Sequence, residues 1–221
     1  MKFLLLVVFT LFINYTFAQP KVVTFGGESE DRKFSFVESN NLKFSILEFV
    51  SSDYSFYYER KIHNKLSFEV GAGATYGDFI GNFFTPTPEI SDNIGLDKRL
   101  GYSFSGALRF YFSEVFDGFY AAPEFKYRLY NWENDISIPS EDNFNPDQYI
   151  TVAESRAHTI ARINFGFFTT TYNNFSWDFH FGIGVNKRTE NVYTYEANQV
   201  KNINLPIIPR VSIGIKVGYL F

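Results

Sequence analysis

From Leu42 onward, large apolar residues alternate with small or polar ones at a period of two, the period of a β-strand. In Leu66 to Gly77 one face carries Leu66, Phe68, Val70, Ala72, Ala74 and Tyr76, and the other Ser67, Glu69, Gly71, Gly73 and Thr75. The split recurs in Leu100 to Phe112, Phe119 to Tyr130, Phe175 to Asn186 and Ile207 to Phe221, and more loosely over 156–168. A helix is excluded, because apolar residues at i and i+2 would scatter around it instead of forming one stripe.

The connections differ in length. Short turns are expected at Ile62-His63-Asn64, Ser113 to Gly118 and Thr170 to Asn174. Long polar loops are expected at Asp78 to Lys98, Asn131 to Ser155 and Arg188 to Leu205. The segments 65–77, 99–113, 119–131, 155–169, 175–188 and 206–221 read as strands. Tyr54 to Lys61 and Leu42 to Phe49 add a first hairpin with a tight turn near Ser51-Ser52-Asp53, although its alternation slips near Glu48. The total is eight, or ten if Val22 to Gly26 and Phe34 to Val37 also pair. Pro123 inside a strand predicts a bulge, since proline cannot donate to the ladder.

Composition decides what lies outside. The chain has 221 residues with 28 Phe, 15 Tyr and 2 Trp, so 20% are aromatic, far more than a water-soluble core requires. Mean hydropathy is −0.14, so it is not a helical membrane protein. Phe and Tyr are too bulky to fill an eight-stranded interior together, whereas Gly71, Gly73, Ser103, Ser105, Gly182 and Gly184 suit a place where side chains converge. Charges avoid the aromatic face, as lipid requires. Short turns at one end and long loops at the other describe an outer-membrane barrel. The expected fold is all-β: a single closed antiparallel transmembrane β-barrel of 8 strands (10 possible) over 42–221. Residues 19–41 would be an N-terminal periplasmic segment or extra strands.

The first eighteen residues read as an address. Lys2 is followed by the apolar run Phe3 to Ile13, then Thr16-Phe17-Ala18 before Gln19. This is the layout of a secretory signal peptide cleaved after Ala18. An almost wholly apolar run of eleven residues is too short for a transmembrane helix, which needs roughly twenty.

The last strand, Val211 to Phe221, alternates and ends in Phe. In this the chain resembles the small outer-membrane β-barrel proteins of the OmpA/OmpX type, the porin-family barrels of Gram-negative envelopes. The resemblance covers the pattern from Leu42 to Phe221. It implies that Val217, Tyr219 and Phe221 form an assembly signal for the barrel-insertion machinery. It also implies outer-membrane lipid as the surrounding medium and an unidentified partner for the extracellular loops. Because the chain stops at Phe221, no added peptidoglycan-binding domain is expected.

The chemistry expected inside is electrostatic. Glu69, Arg109, Glu124, Arg128, Arg162, Asp178, His180 and Arg210 fall on the polar face, with Lys43, Glu59, Lys126 and Lys216. Buried charges must pair, so a lumen ion-pair network filling the barrel is expected. Asp178 and His180 share a face as an acid and base could, yet no Ser or Thr nucleophile can be set beside them, and no enzyme activity is expected. With 3 His and no Cys, no metal site, disulfide or cofactor is expected. Net charge −4 without a basic block argues against nucleic acid. The functional expectation is a structural or surface-interaction barrel with three long extracellular loops. A narrow pore for ions or small solutes and a secreted lipocalin-like carrier are the alternatives.

Overall fold

The computed structural model describes residues 38–78, 97–138, 148–171, 173–194 and 199–221. The chain divides into two compact units, Met1–Ser35 and Phe36–Phe221, and every described residue belongs to the second. The expected signal peptide, its expected cleavage after Ala18 and the candidate strands at Val22 to Gly26 and Phe34 to Val37 lie outside the described residues.

Among the described residues nine strands and one short helix follow in order: β1 (Asn40–Ser45), α1 (Ile46–Val50), β2 (Asp53–His63), β3 (Leu66–Tyr76), β4 (Asp97–Tyr111), β5 (Gly118–Ile138), β6 (Gln148–Thr170), β7 (Phe175–Thr194), β8 (Gln199–Asn204) and β9 (Ile208–Leu220). All pairings are antiparallel and make one sheet in the order β6-β5-β4-β3-β2-β1-β9-β7-β8. A further β6–β7 pairing brings the sheet round into a ring. Asn40 and Phe221 exchange backbone hydrogen bonds of 3.1 and 2.9 Å at the β1–β9 seam.

Four features differ from the sequence-based expectation, each for a physical reason. Nine strands replace eight because β8 and β9 share one edge of β7: β8 pairs with Thr189 to Thr194 and β9 with Phe175 to Asn186. Leu205-Pro206-Ile207 separates them, and Pro206 has no N–H to continue a ladder. The strand expected over 42–49 ends at Ser45, where α1 begins and turns Glu48 inward, 8% exposed. That helical turn is the cause of the slip in alternation.

The expected loops 131–155 and 188–205 are largely strand. β5 runs on to Ile138, β6 starts at Gln148, and β7 and β8 add a hairpin extension. Their polar residues alternate too weakly to read as strands, yet Trp132, Ile136 and Val192 are buried there. The bulge expected at Pro123 is absent. The β5–β6 register passes through Pro123↔Ile163 unbroken, and on the β4 side pairing lapses between Ala107↔Glu124 and Phe110↔Ala121 without shifting. The register shift in that ladder falls instead between Arg99 and Tyr102. There a Cβ on Gly101 would lie 1.9 Å from the Leu129 carbonyl oxygen.

Burial is inverted relative to a water-soluble domain. The apolar face points out: Phe104, Phe110 and Ile183 are 46%, 50% and 54% exposed. The polar face points in, with Lys126 and Asp178 at 0%. At the short-turn end the interior is closed by an apolar cluster. The β4–β5 turn folds Val115 and Phe116 inward against Tyr111, Tyr120, Phe168 and Leu220.

Candidate functional site

The inner face holds three tiers of charge, stacked from the short-turn end to the long-loop end. The alternation of each strand aims one charge inward every second residue, and the ring makes charges from distant strands converge.

The first tier joins β1, β2, β3, β4, β7 and β9. Lys43 Nζ lies 2.5 Å from Glu59 Oε2 and 3.2 Å from Asp178 Oδ2, and it also pairs with Glu69. Arg109 contacts Glu59 at 2.9 Å, Glu69 at 3.4 Å and Asp178. Lys216 Nζ meets Glu69 Oε1 at 2.5 Å. Tyr111 donates to Glu59 at 2.8 Å and Tyr120 to Asp178 at 2.5 Å. Three cations thus face three carboxylates, and hydroxyls of Tyr111 and Tyr120 take further lone pairs of Glu59 and Asp178, a condition under which buried ions are tolerated.

The second tier centres on Glu48 of α1. Lys126 Nζ lies 2.8 Å from both Glu48 and Asp53. Arg128 reaches Glu48 at 2.9 Å and Asp53 at 2.6 Å. Arg162 grips Glu124 through two hydrogen bonds of 2.9 Å, a fork-on-carboxylate geometry, and donates to Ser212 Oγ at 3.0 Å. Tyr57 bridges the tiers: Lys126 donates to its hydroxyl at 2.8 Å, and Lys216 Nζ sits 3.7 Å from its ring centroid.

The third tier lies at the long-loop mouth. Arg156 contacts Glu190 at 2.8 Å and Asp78 at 3.1 Å, His158 contacts Asp78 at 3.0 Å, and Arg188 contacts Glu190 at 3.0 Å. Burial would raise the Asp78 carboxyl, but the His158 hydrogen bond and the Arg156 charge outweigh it and hold Asp78 well below the usual carboxylate range.

Of the residues singled out from sequence, Glu69, Arg109 and Asp178 meet in the first tier, and Glu124, Arg128 and Arg162 in the second. His180 is buried but makes no hydrogen bond to Asp178 among the described contacts, and its Nδ1 has no partner. The Asp178 carboxylate is instead taken by Arg109, Lys43 and Tyr120. Arg210 forms no ion pair among the described residues, and its Nε also lacks a partner. Glu48, Asp53 and the third tier are absent from the residues singled out in sequence: Glu48 falls where the first strand slips, Asp53 in a turn, Asp78 and Glu190 in expected loops, and Arg156 and His158 in a strand of loose alternation. The period-two spacing of Glu154, Arg156 and His158, and of Arg188 and Glu190, was the available signal.

Val217 and Tyr219 lie on the outer side of β9, Val217 paired with Phe44 and Trp177, Tyr219 with Leu42 and Phe175. Phe221 is exposed beside Asn40. Among the described residues no group of three or more His, Asp or Glu is arranged to hold a metal ion. Comparisons with protein-family models, with curated proteins and with solved structures give no match.

Proposed function

We propose that this protein is an integral outer-membrane β-barrel, exported with a signal peptide and resembling the OmpA/OmpX type. In this reading the ring is a closed barrel, the short turns are periplasmic and the long connections extracellular. The protein acts as a structural or surface-interaction element, not as an enzyme. One observation carries the reading: large apolar side chains cover the outside of the ring while its charges are buried inside. Water would penalise such an outer surface, and a bilayer core would favour it.

The outer wall has the relief expected of a lipid contact. Phe119, Phe167, Phe179 and Ile215 pair in one ridge across four strands, and Phe165, Phe181 and Ile213 in another. An open furrow between them has the backbone of Gly166, His180 and Gly214 as its floor, a shape that accepts an acyl chain. A lipocalin-like carrier would need an apolar interior, which the three charged tiers do not offer. Against an open pore stand those tiers and the apolar seal around Phe116 at the short-turn end.

Fractionation tests the proposal. The protein is expected in the detergent-extracted outer membrane, with an unheated gel mobility different from the boiled one. Recovery in the soluble periplasm with a single mobility would overturn it.

A further inference from the structure

We propose that the inner face around Arg210 is a binding site for an oxyanion, a carboxylate or phosphate group entering from the long-loop mouth. The inference rests on the reading of the inner face as a lumen reached from that end. Each other lysine and arginine of the three tiers has a carboxylate within ion-pairing distance. Arg210 has none among the described residues, and its buried Nε–H finds no acceptor. The two charges that bear most on it are cations, Arg128 and Arg162, ahead of Asp78.

The imbalance is local. In the first tier Lys43, Arg109 and Lys216 face Glu59, Glu69 and Asp178. In the second, Arg128, Arg162 and Lys126 already use Glu48, Asp53 and Glu124, and Arg210 is a fourth cation without a fourth acid. A largely enclosed guanidinium is costly unless an anion or hydrogen-bond acceptors satisfy it.

The position suits a ligand. Arg210 stands on β9 opposite Gly184, just after the break at Leu205-Pro206-Ile207, and remains partly exposed. Glycine opposite it leaves its guanidinium without a cross-strand side chain. A planar fork of this kind binds a carboxylate or phosphate through two parallel hydrogen bonds.

The test follows the thermal unfolding midpoint of the full protein, taken from whichever fraction contains it. Sodium phosphate, acetate and chloride are compared at equal ionic strength. Phosphate or acetate is expected to raise the midpoint saturably above chloride, by about 2–4 °C. The effect should vanish in Arg210→Gln, persist partly in Arg210→Lys, and survive in Arg99→Gln, whose exposed side chain pairs with Glu133 outside the tiers. Response to acetate alone identifies a carboxylate site, and response to phosphate a phosphate site. Equal behaviour in all three salts, or an anion effect that survives Arg210→Gln, overturns the proposal. Should Arg210→Gln not fold, the Arg210 Nε–H resonance of the unmodified protein decides. It must shift on phosphate or acetate addition, and a fixed resonance refutes the site. Because solubility plays no part in this readout, its failure is distinct from failure of the membrane reading.

Discussion

Arg109 of β4 and Asp178 of β7 are ion-paired across the interior, although β5 and β6 separate them along the wall. Both side chains are almost completely buried, at 2% and 0% exposure. The pair therefore staples one side of the ring to the other without using the backbone ladder, and Tyr120 supports it by accepting from Arg109 and donating to Asp178.

Removing both members should cost less than the two single losses added together. Arg109→Met leaves Glu59, Glu69 and Asp178 facing only Lys43 and Lys216, and is expected to destabilise by about 3–5 kcal/mol. Adding Asp178→Asn restores the balance, so the double variant should be less destabilised than the two single losses combined. Urea unfolding in detergent micelles, followed by gel mobility, measures both. Strict additivity would contradict the network.

The seal at the short-turn end predicts an order of stabilities. Phe116 is fully buried and has a φ of 72°, a left-handed conformation that costs a residue with a side chain about 1–2 kcal/mol. Phe116→Ala loses the seal and keeps the strain, so a loss of about 3–5 kcal/mol is expected. Phe116→Gly loses the seal but relieves the backbone, and should be the more stable of the two. The reverse order in the same unfolding assay would refute this account of the turn.

Gly214 and His180 form a paired constraint. A Cβ on Gly214 would lie 2.1 Å from the imidazole Cε1, so Gly214→Ala forces the ring aside. Impaired folding is expected for Gly214→Ala alone. His180→Ala introduced beside it should recover much of the folded fraction, read as the heat-modifiable band. No recovery would locate the clash elsewhere.

The mouth tier should weaken in acid. The Asp78 carboxyl is held below its ordinary value in the folded state, so its ionised form stabilises the fold. That contribution is complete above the ordinary carboxylate pKa and is lost as pH falls through the lowered folded value. The stability difference between the natural protein and Asp78→Asn is therefore expected to be constant at neutral pH and to shrink on acidification. A difference independent of pH would mean that Asp78 acts through packing alone.

Much of this architecture was legible in the chain. Alternation from Leu66 to Tyr76 and from Phe175 to Val185 specifies strands, and it also specifies which residues share a face, because period two is a local property of the backbone. The opposed composition of those faces, phenylalanines on one and glycines and charges on the other, identified which face turns inward. Of the eight inner-face residues singled out, seven are buried and Arg210 is part-exposed.

What the chain alone did not determine was contact. The pairing of Arg109 with Asp178, of Arg128 with Asp53, and of Arg156 with Asp78 depends on how far the ring closes and how each register is staggered. Those are long-range quantities that no local pattern carries. The inward turn of Glu48 and the folding of Val115 and Phe116 into the short-turn end are likewise tertiary. Short segments take whatever conformation satisfies the charges and apolar surface around them, and here the rest of the ring supplied both.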